Sequence, residues 1–283
     1  MIRSMFSAVS GLRGHQTMLD VIGNNISNVN TASFKSSRVV FSDLYYQTLQ
    51  NASAPTDTAG GQNPTQIGYG STVSNVDVIH TRGSFQETSR ALDLYISGEG
   101  YFVVQDSAGG INYTRLGALS FDPAGNLLDS SGNILMGQIA DPPITAPDVL
   151  PDMPNPPEII NIANFENYTS ISIQPDGTIT GTNATGGIET LGRLTIAVFQ
   201  NPNGLLQSGT AYYKETVNSG APAYEVAGSP NAGSLVTGGL EMSNVDLSKE
   251  FTDLIIAQRG FQANARVITT SDQVLEELVN IKR

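Results

Sequence analysis

The chain contains no cysteine, which excludes disulfide staples, thiolate nucleophiles and cysteine-based metal sites. It is also poor in charge: 14% of its 283 residues are Asp, Glu, Lys or Arg, against roughly 25% in an ordinary soluble domain. A surface so sparsely charged buries readily against copies of itself. No run of about 18 apolar residues exists, so no helical membrane span is expected. The N-terminal residues lack a basic region followed by an unbroken apolar run, so no cleavable secretory signal is expected either. The only two histidines, His15 and His80, lie far apart, and no His-Glu-x-x-His exists, which argues against zinc or iron. No serine has glycine both two before and two after it, so the nucleophile elbow is missing. Gly98-Glu99-Gly100 begins like a dinucleotide loop, but Val103 stands where the third glycine belongs. Asp93, Glu99, Asp122 and Asp129 offer carboxylates for a glycosidase pair, yet they occur in turn-forming sequence where Asp shapes the backbone. No loop completes the acidic spacing of an EF-hand. Five Asn-x-Ser/Thr sites (Asn25, Asn51, Asn112, Asn167 and Asn183) are what chance gives in a chain rich in Asn, Ser and Thr. No catalytic residue, no metal site and no cofactor is assigned.

What charge there is has a pattern. The net charge is −12 and the pI is about 4.4, which disfavours nucleic acid and anionic membrane as partners. Residues 1–43 carry Arg3, Arg13, Lys35 and Arg38 against Asp20 and Asp43, while residues 241–283 carry five basic and seven acidic side chains. The ends cancel, so residues 44–240 hold the whole excess of −12. Near-neutral ends read as interior parts and the acidic middle as a solvated exterior.

The strongest periodic signal is at the two ends. Leu247, Leu254, Phe261, Ile268 and Leu275 fall seven residues apart, with Leu240 one step earlier in the same phase. Met5, Leu12, Leu19 and Ile26 do the same near the N-terminus. Such stripes mark helices that bury a narrow seam against another helix. Residues 2–29 are expected to form one amphipathic helix, weakened by Gly11, Gly14 and Gly23 at roughly 1 kcal/mol each relative to Ala. Such a helix should be mobile alone and order on packing. Asn and Ser enrichment over 24–36 should end it near Asn28–Thr31. A second helix should start near Val245 with Ser243 or Asn244 as N-cap, Asp246 in its first turn, and Lys282 and Arg283 at its favoured cationic end.

Between the ends the pattern becomes β. Residues 50–75 read as loop or extended connector. Leu92–Val104 gives two apolar runs around Gly98-Glu99-Gly100, a hairpin signal. Turn sequences recur at Asp122–Asn126, Asp129–Asn133 and Pro175–Gly177, and Leu191–Phe199 is a clear strand. Residues 141–157 hold seven of the fourteen prolines and are expected to be an extended outer excursion, not a central strand. The expected fold is therefore α+β: long N- and C-terminal helices forming a coiled-coil inner domain (1–30 with 240–283), a connector (31–75), and an inserted all-β outer domain (76–235).

Four stretches carry a family resemblance: Leu19–Lys35 (LDVIGNNISNVNTASFK), Ala91–Phe102 (ALDLYISGEGYF), Tyr113–Gly117 (YTRLG) and Gly239–Arg266 (GLEMSNVDLSKEFTDLIIAQRGFQANAR). With them the chain resembles the bacterial flagellar rod and hook proteins, most nearly the small hook proteins of Gram-positive type. Ser33 stands where that family usually has glycine, which argues against a left-handed turn there. The resemblance implies a structural subunit, not an enzyme. It would be exported without signal cleavage through the flagellar type III apparatus and polymerise outside the cell at the basal body and hook. Terminal helices would line an inner tube, the Asn-rich connector would form a middle layer and the β domain would face outward. Implied partners are copies of itself, the distal rod protein, the hook–filament junction protein, the hook cap protein and the export apparatus. Met5, Leu12, Leu19, Ile26, Leu247, Leu254, Phe261, Ile268 and Leu275 are the expected assembly residues. The wording of Glu241–Leu247, the Ala-Gln-Arg-Gly-Phe run and the final residues favour a curved hook subunit over a straight distal rod subunit. A secreted β-domain protein acting on the cell wall is the reading from another class.

Overall fold

The computed structural model describes residues 2–55, 60–145, 157–162, 165–184, 186–209 and 211–281. Most of the proline-rich stretch, together with Lys282 and Arg283, lies outside the described residues. The chain divides into two compact units: residues 1–29, 36–79 and 245–283 form the first, and residues 30–35 and 80–244 the second.

The first unit is built on helices α1 (Ile2–Ser27) and α2 (Leu247–Ile281). Helix α1 stops where Asn24, Ser27 and Asn28 bond locally: Asn28 donates its Nδ2 to Asn24 O at 3.0 Å and Ser27 Oγ donates to Asn24 O at 2.9 Å. Helix α2 is capped by Asp246, whose Oδ1 accepts Ser248 N at 2.9 Å and Lys249 N at 3.3 Å. This corrects the expected cap, because Asp246 precedes the first helical turn and does not lie in it. The segment expected to be connector is more ordered than its composition implied. Strand β1 (Ser37–Asp43) pairs antiparallel with β4 (Ser71–Val78), and β2 (Tyr46–Gln50) with β3 (Thr65–Gly68). Val39, Val73 and Val76 supply the β-branched content that a composition reading dominated by Gly, Asn and Pro overlooks.

The second unit is antiparallel throughout its described pairs. Its strands run β5 (Phe85–Glu87), β6 (Leu94–Ser97), β7 (Tyr101–Gln105), β8 (Ile111–Thr114), β9 (Leu119–Phe121), β10 (Leu127–Asp129), β11 (Ile134–Thr145) and β12 (Glu158–Ile159). They continue with β13 (Tyr168–Ile173), β14 (Thr178–Asn183), β15 (Ile188–Val198), β16 (Leu206–Gln207), β17 (Tyr212–Lys214), β18 (Ala223–Val226), β19 (Ser234–Thr237) and β20 (Gly239–Glu241). The main sheet has the order β13-β14-β15-β11-β7-β8-β17-β16. Alternation along β7 sends Phe102 and Val104 into one apolar cluster with Leu94, Leu127 and Ile196, and Tyr101 and Val103 into another with Tyr113, Phe199 and Tyr213. Both faces are thus covered, which explains why these strands read as continuous apolar runs.

The turns at Asp122, Asp129 and Pro175 join β9 to β10, β10 to β11 and β13 to β14, as their sequences dictate. Three expectations need correction. Gly98-Glu99-Gly100 is not a hairpin turn: β6 pairs with β19, and β7 with β8, β11 and β15. The glycines are needed for close approach, since a Cβ on Gly98 would fall 2.4 Å from the Gly233 Cα. The beginning of the proline-rich stretch is strand, because β11 takes in Pro142 and Pro143, where its pairing with β15 shifts register between Ile139 and Ile144. An irregular ladder frees the positions that cannot donate. Finally, Ser33 adopts φ 60° despite not being glycine, and its N–H donates to Glu241 O at 2.8 Å. That bond and nearly complete burial hold the left-handed turn against its intrinsic cost.

Candidate assembly helices and a buried ion cluster

Helices α1 and α2 pack together and run antiparallel. Asn25 meets Glu250, His15 lies against Gly260, and Gly11 lies against Asn264, so ascending α1 descends α2. The seam uses small residues. A Cβ on Gly260 would come within 2.5 Å of the His15 ring, and one on Gly11 within 2.8 Å of Asn264 Nδ2. Ala8, Ile22 and Ala257 are its most buried apolar members. The glycines that weaken α1 in isolation thus permit the close helix approach. Asn25 anchors the seam to β1, donating Nδ2 to Ser37 O at 2.8 Å and accepting Ser37 N at 3.0 Å. It also donates to Glu250 Oε1 at 3.2 Å, and burial pushes the Glu250 carboxyl upward while this bond opposes it.

Met5, Leu12, Leu19 and Ile26 are half-buried on the flank of this seam, as are Leu254, Ile268 and Leu275. Leu247 and Phe261 remain 39% and 37% exposed. Helix α2 also carries a second apolar face. Ile256, Val267, Val274, Leu278 and Ile281 recur at helical spacing and are 40–79% exposed. Sequence reasoning missed this face because it is out of phase with the stronger leucine stripe.

In the second unit, all four resemblance-carrying stretches meet. Lys35 Nζ lies 2.6 Å from Glu241 Oε1, and Arg115 Nη1 lies 3.3 Å from the same oxygen. All three side chains are at most 2% exposed. Lys35 also donates to Thr81 O at 2.8 Å, Gly83 N donates to Glu241 Oε1 at 2.9 Å, and Arg115 donates to Gly98 O at 2.7 Å and Gly100 O at 3.0 Å. The Arg115 guanidinium lies 5.4 Å from the Tyr101 ring centroid. Burial holds the Lys35 ammonium below its ordinary pKa, opposed by the Glu241 charge. His80 is pushed down to about 4 by burial and by the Lys35 and Arg115 charges, so it is neutral, and its Nδ1 is 2.8 Å from Tyr101 Oη. One carboxylate thus serves two buried cations. The cluster joins residues just before or after the points where the chain passes from one unit to the other: Lys35, Thr81 and Glu241. Its partners stand 206 and 126 positions apart in sequence, which hides it from any local reading.

Of the acidic side chains weighed for catalysis, Asp122 and Asp129 hold turn backbone and Asp93 bonds neighbouring side chains. Asp122 accepts Asn126 N at 2.7 Å, Asp129 accepts Ser131 N at 2.8 Å and the Tyr212 hydroxyl, and Asp93 accepts the Thr88 hydroxyl. Among the described residues no group of three or more His, Asp or Glu is placed to hold a metal ion.

Three family profiles match successive parts of the chain: "Flagella basal body rod protein" over residues 5–35, "Flagellar hook protein FlgE/F/G D1 domain" over 95–181, and "Flagellar basal body rod FlgEFG protein C-terminal" over 236–281. The chain is 43% identical over 288 positions to the flagellar basal-body rod protein FlgG of Bacillus subtilis, spanning all of both chains. It is 36% identical to FlgG of Agrobacterium fabrum, covering 96% of this chain and 97% of that one. It is also 30% identical to the flagellar hook protein FlgE of Borreliella burgdorferi over 445 positions, spanning both chains. These three profiles and the full-length matches agree with one another, and the chain belongs to the flagellar basal-body rod and hook proteins.

Proposed function

We propose that the chain is a distal rod subunit, which polymerises into a straight tubular drive shaft of the flagellum. The observation that carries this is length together with identity. The chain aligns with a rod FlgG over 288 positions at 43%, whereas the hook FlgE proteins require 445 and 465 positions at 30% and 26%. The preference for a hook drawn from the C-terminal wording therefore gives way to the rod reading. The alignments to these two hook proteins run well past these 283 residues, so those two carry sequence with no counterpart here.

The physical logic of assembly follows from the helices. A head-to-tail contact that does not close on itself generates a helical filament. Helix α2 buries one face against α1 and leaves a second one bare, and a soluble monomer gains by covering such a face. In this reading α1 and α2 form a coiled-coil inner layer, with Leu247 and Phe261 completing their burial between copies. Neighbouring rod subunits, the hook base and the export apparatus are its partners. Pelleting of purified chain across a concentration series tests this: a threshold concentration followed by tubes in the pellet is expected. Chain that remains monomeric well above micromolar concentration overturns it.

A further inference from the structure

The last turns of α2 extend past the start of α1. Because the helices are antiparallel and Gly11 already faces Asn264, α2 residues beyond about 274 have no α1 residue opposite them. Val274, Leu278, Val279 and Ile281 are 44–79% exposed there. From Asp272 to the end the chain has Asp272, Glu276 and Glu277 against Lys282 and Arg283, so the described turns up to Ile281 are acidic and the two cations follow them. The same unit contains a groove of about 530 Å³ between α1 and the β-ribbon, walled by Phe6, Val9, Leu44, Tyr69 and Val73, with Arg13 on its rim. Among the described residues no acidic side chain lines it. Phe6 is 65% exposed, and the Arg3 guanidinium lies 5.9 Å from the Tyr69 ring centroid. An apolar, acidic projection and an apolar, basic groove therefore coexist on one chain at sites that differ, which is the arrangement of a heterologous contact.

We propose that the projecting end of α2 seats in the α1–β4 groove of a second copy, with Leu278 and Ile281 in the groove and Glu277 facing Arg13. This rests on the rod reading and specifies one contact within it. The occupant is a copy of this chain, because both charge and apolar character of the groove are matched by a segment the chain itself leaves uncovered.

The absence of cysteine makes the test clean. Val9→Cys and Leu278→Cys chains are prepared separately, mixed, polymerised and oxidised, so that only an intermolecular disulfide between the two kinds of chain can report the contact. A disulfide-linked dimer of one chain of each kind in the polymer, absent when the mixture is oxidised below the assembly threshold, is the expected result. Polymer that pellets without this dimer overturns the proposed contact and leaves the rod reading standing. Failure of the unmodified chain to polymerise overturns the rod reading, and the contact with it. A charge swap reads the same contact without cysteine. Arg13→Glu should raise the threshold concentration at least about tenfold, and adding Glu277→Arg should return it to within about threefold. A double variant no better than the single one overturns the contact.

Discussion

Removing the Glu241 carboxylate should be the most damaging single change available in the β unit. In Glu241→Ala, Lys35 and Arg115 lose their shared counter-charge in a site where all three side chains are at most 2% exposed, and neither has another carboxylate within ion-pair distance among the described residues. Breaking a buried pair by deleting one partner typically costs about 3–5 kcal/mol, because the remaining charge stays desolvated. Here two cations are stranded, and Gly83 N loses its acceptor as well, so the upper end of about 5 kcal/mol is expected. For a unit of this size that lowers the melting temperature by roughly 10 °C or more. Lys35→Met is the informative partner. It leaves the Arg115–Glu241 pair intact and removes the group whose pKa burial already depresses, so its loss should be no more than about 2 kcal/mol. Urea unfolding of the wild type, both single variants and the double variant gives the coupling between the two residues. Glu241→Ala within about 1 kcal/mol of wild type, or Lys35→Met more damaging than Glu241→Ala, would refute the view that this carboxylate holds the cluster together.

His80 supplies a pH signature. Its folded pKa of about 4 lies below its ordinary 6.5, so the unfolded chain takes up a proton that the folded chain refuses. The associated stability is fully present above pH 6.5 and is lost as pH falls to about 4, by up to roughly 3 kcal/mol. His80→Gln should lose less stability than wild type between pH 7 and pH 4, as read from urea midpoints. In the helix seam, Gly260→Leu should push α1 away through the His15 ring and speed amide exchange along α1, while Gly11→Ala displaces only the end of the Asn264 side chain. The latter should be near neutral, since Ala gains about 1 kcal/mol of helix propensity. Phe261→Ala should reduce monomer stability by only about 1–2 kcal/mol because the ring is 37% exposed. It should raise the assembly threshold at least about tenfold if the ring is buried between copies; an unchanged threshold would exclude Phe261 from the contact.

The sequence announced its helices more clearly than the way they pack. A seven-residue repeat identifies a helix with a buried stripe, but several phases satisfy it. Leu and Ile drew attention to Met5, Leu12, Leu19 and Ile26, while the tightest approach is at Gly11, Ala257 and Gly260, residues with little hydrophobic signal. Turns at Asp122, Asp129 and Gly177 were legible because each uses a local side-chain or glycine device. Gly98 and Gly100 were misread because their requirement is tertiary, a close approach to Gly233 and Ile196. The Lys35–Arg115–Glu241 cluster was present in the sequence only as unexplained members of familiar stretches, since nothing local distinguishes a buried lysine from a solvated one. The preference for rod over hook rests on alignment length and identity, which the wording of one helix does not report.

In the rod reading this chain builds a straight tube through its terminal helices. Electron cryomicroscopy of the polymer formed by the purified chain reads this out. A straight tube whose lumen is lined by α1 and α2 is the expected result. A tube that curves into a supercoil, or one whose lumen is lined by the β unit, overturns the rod reading.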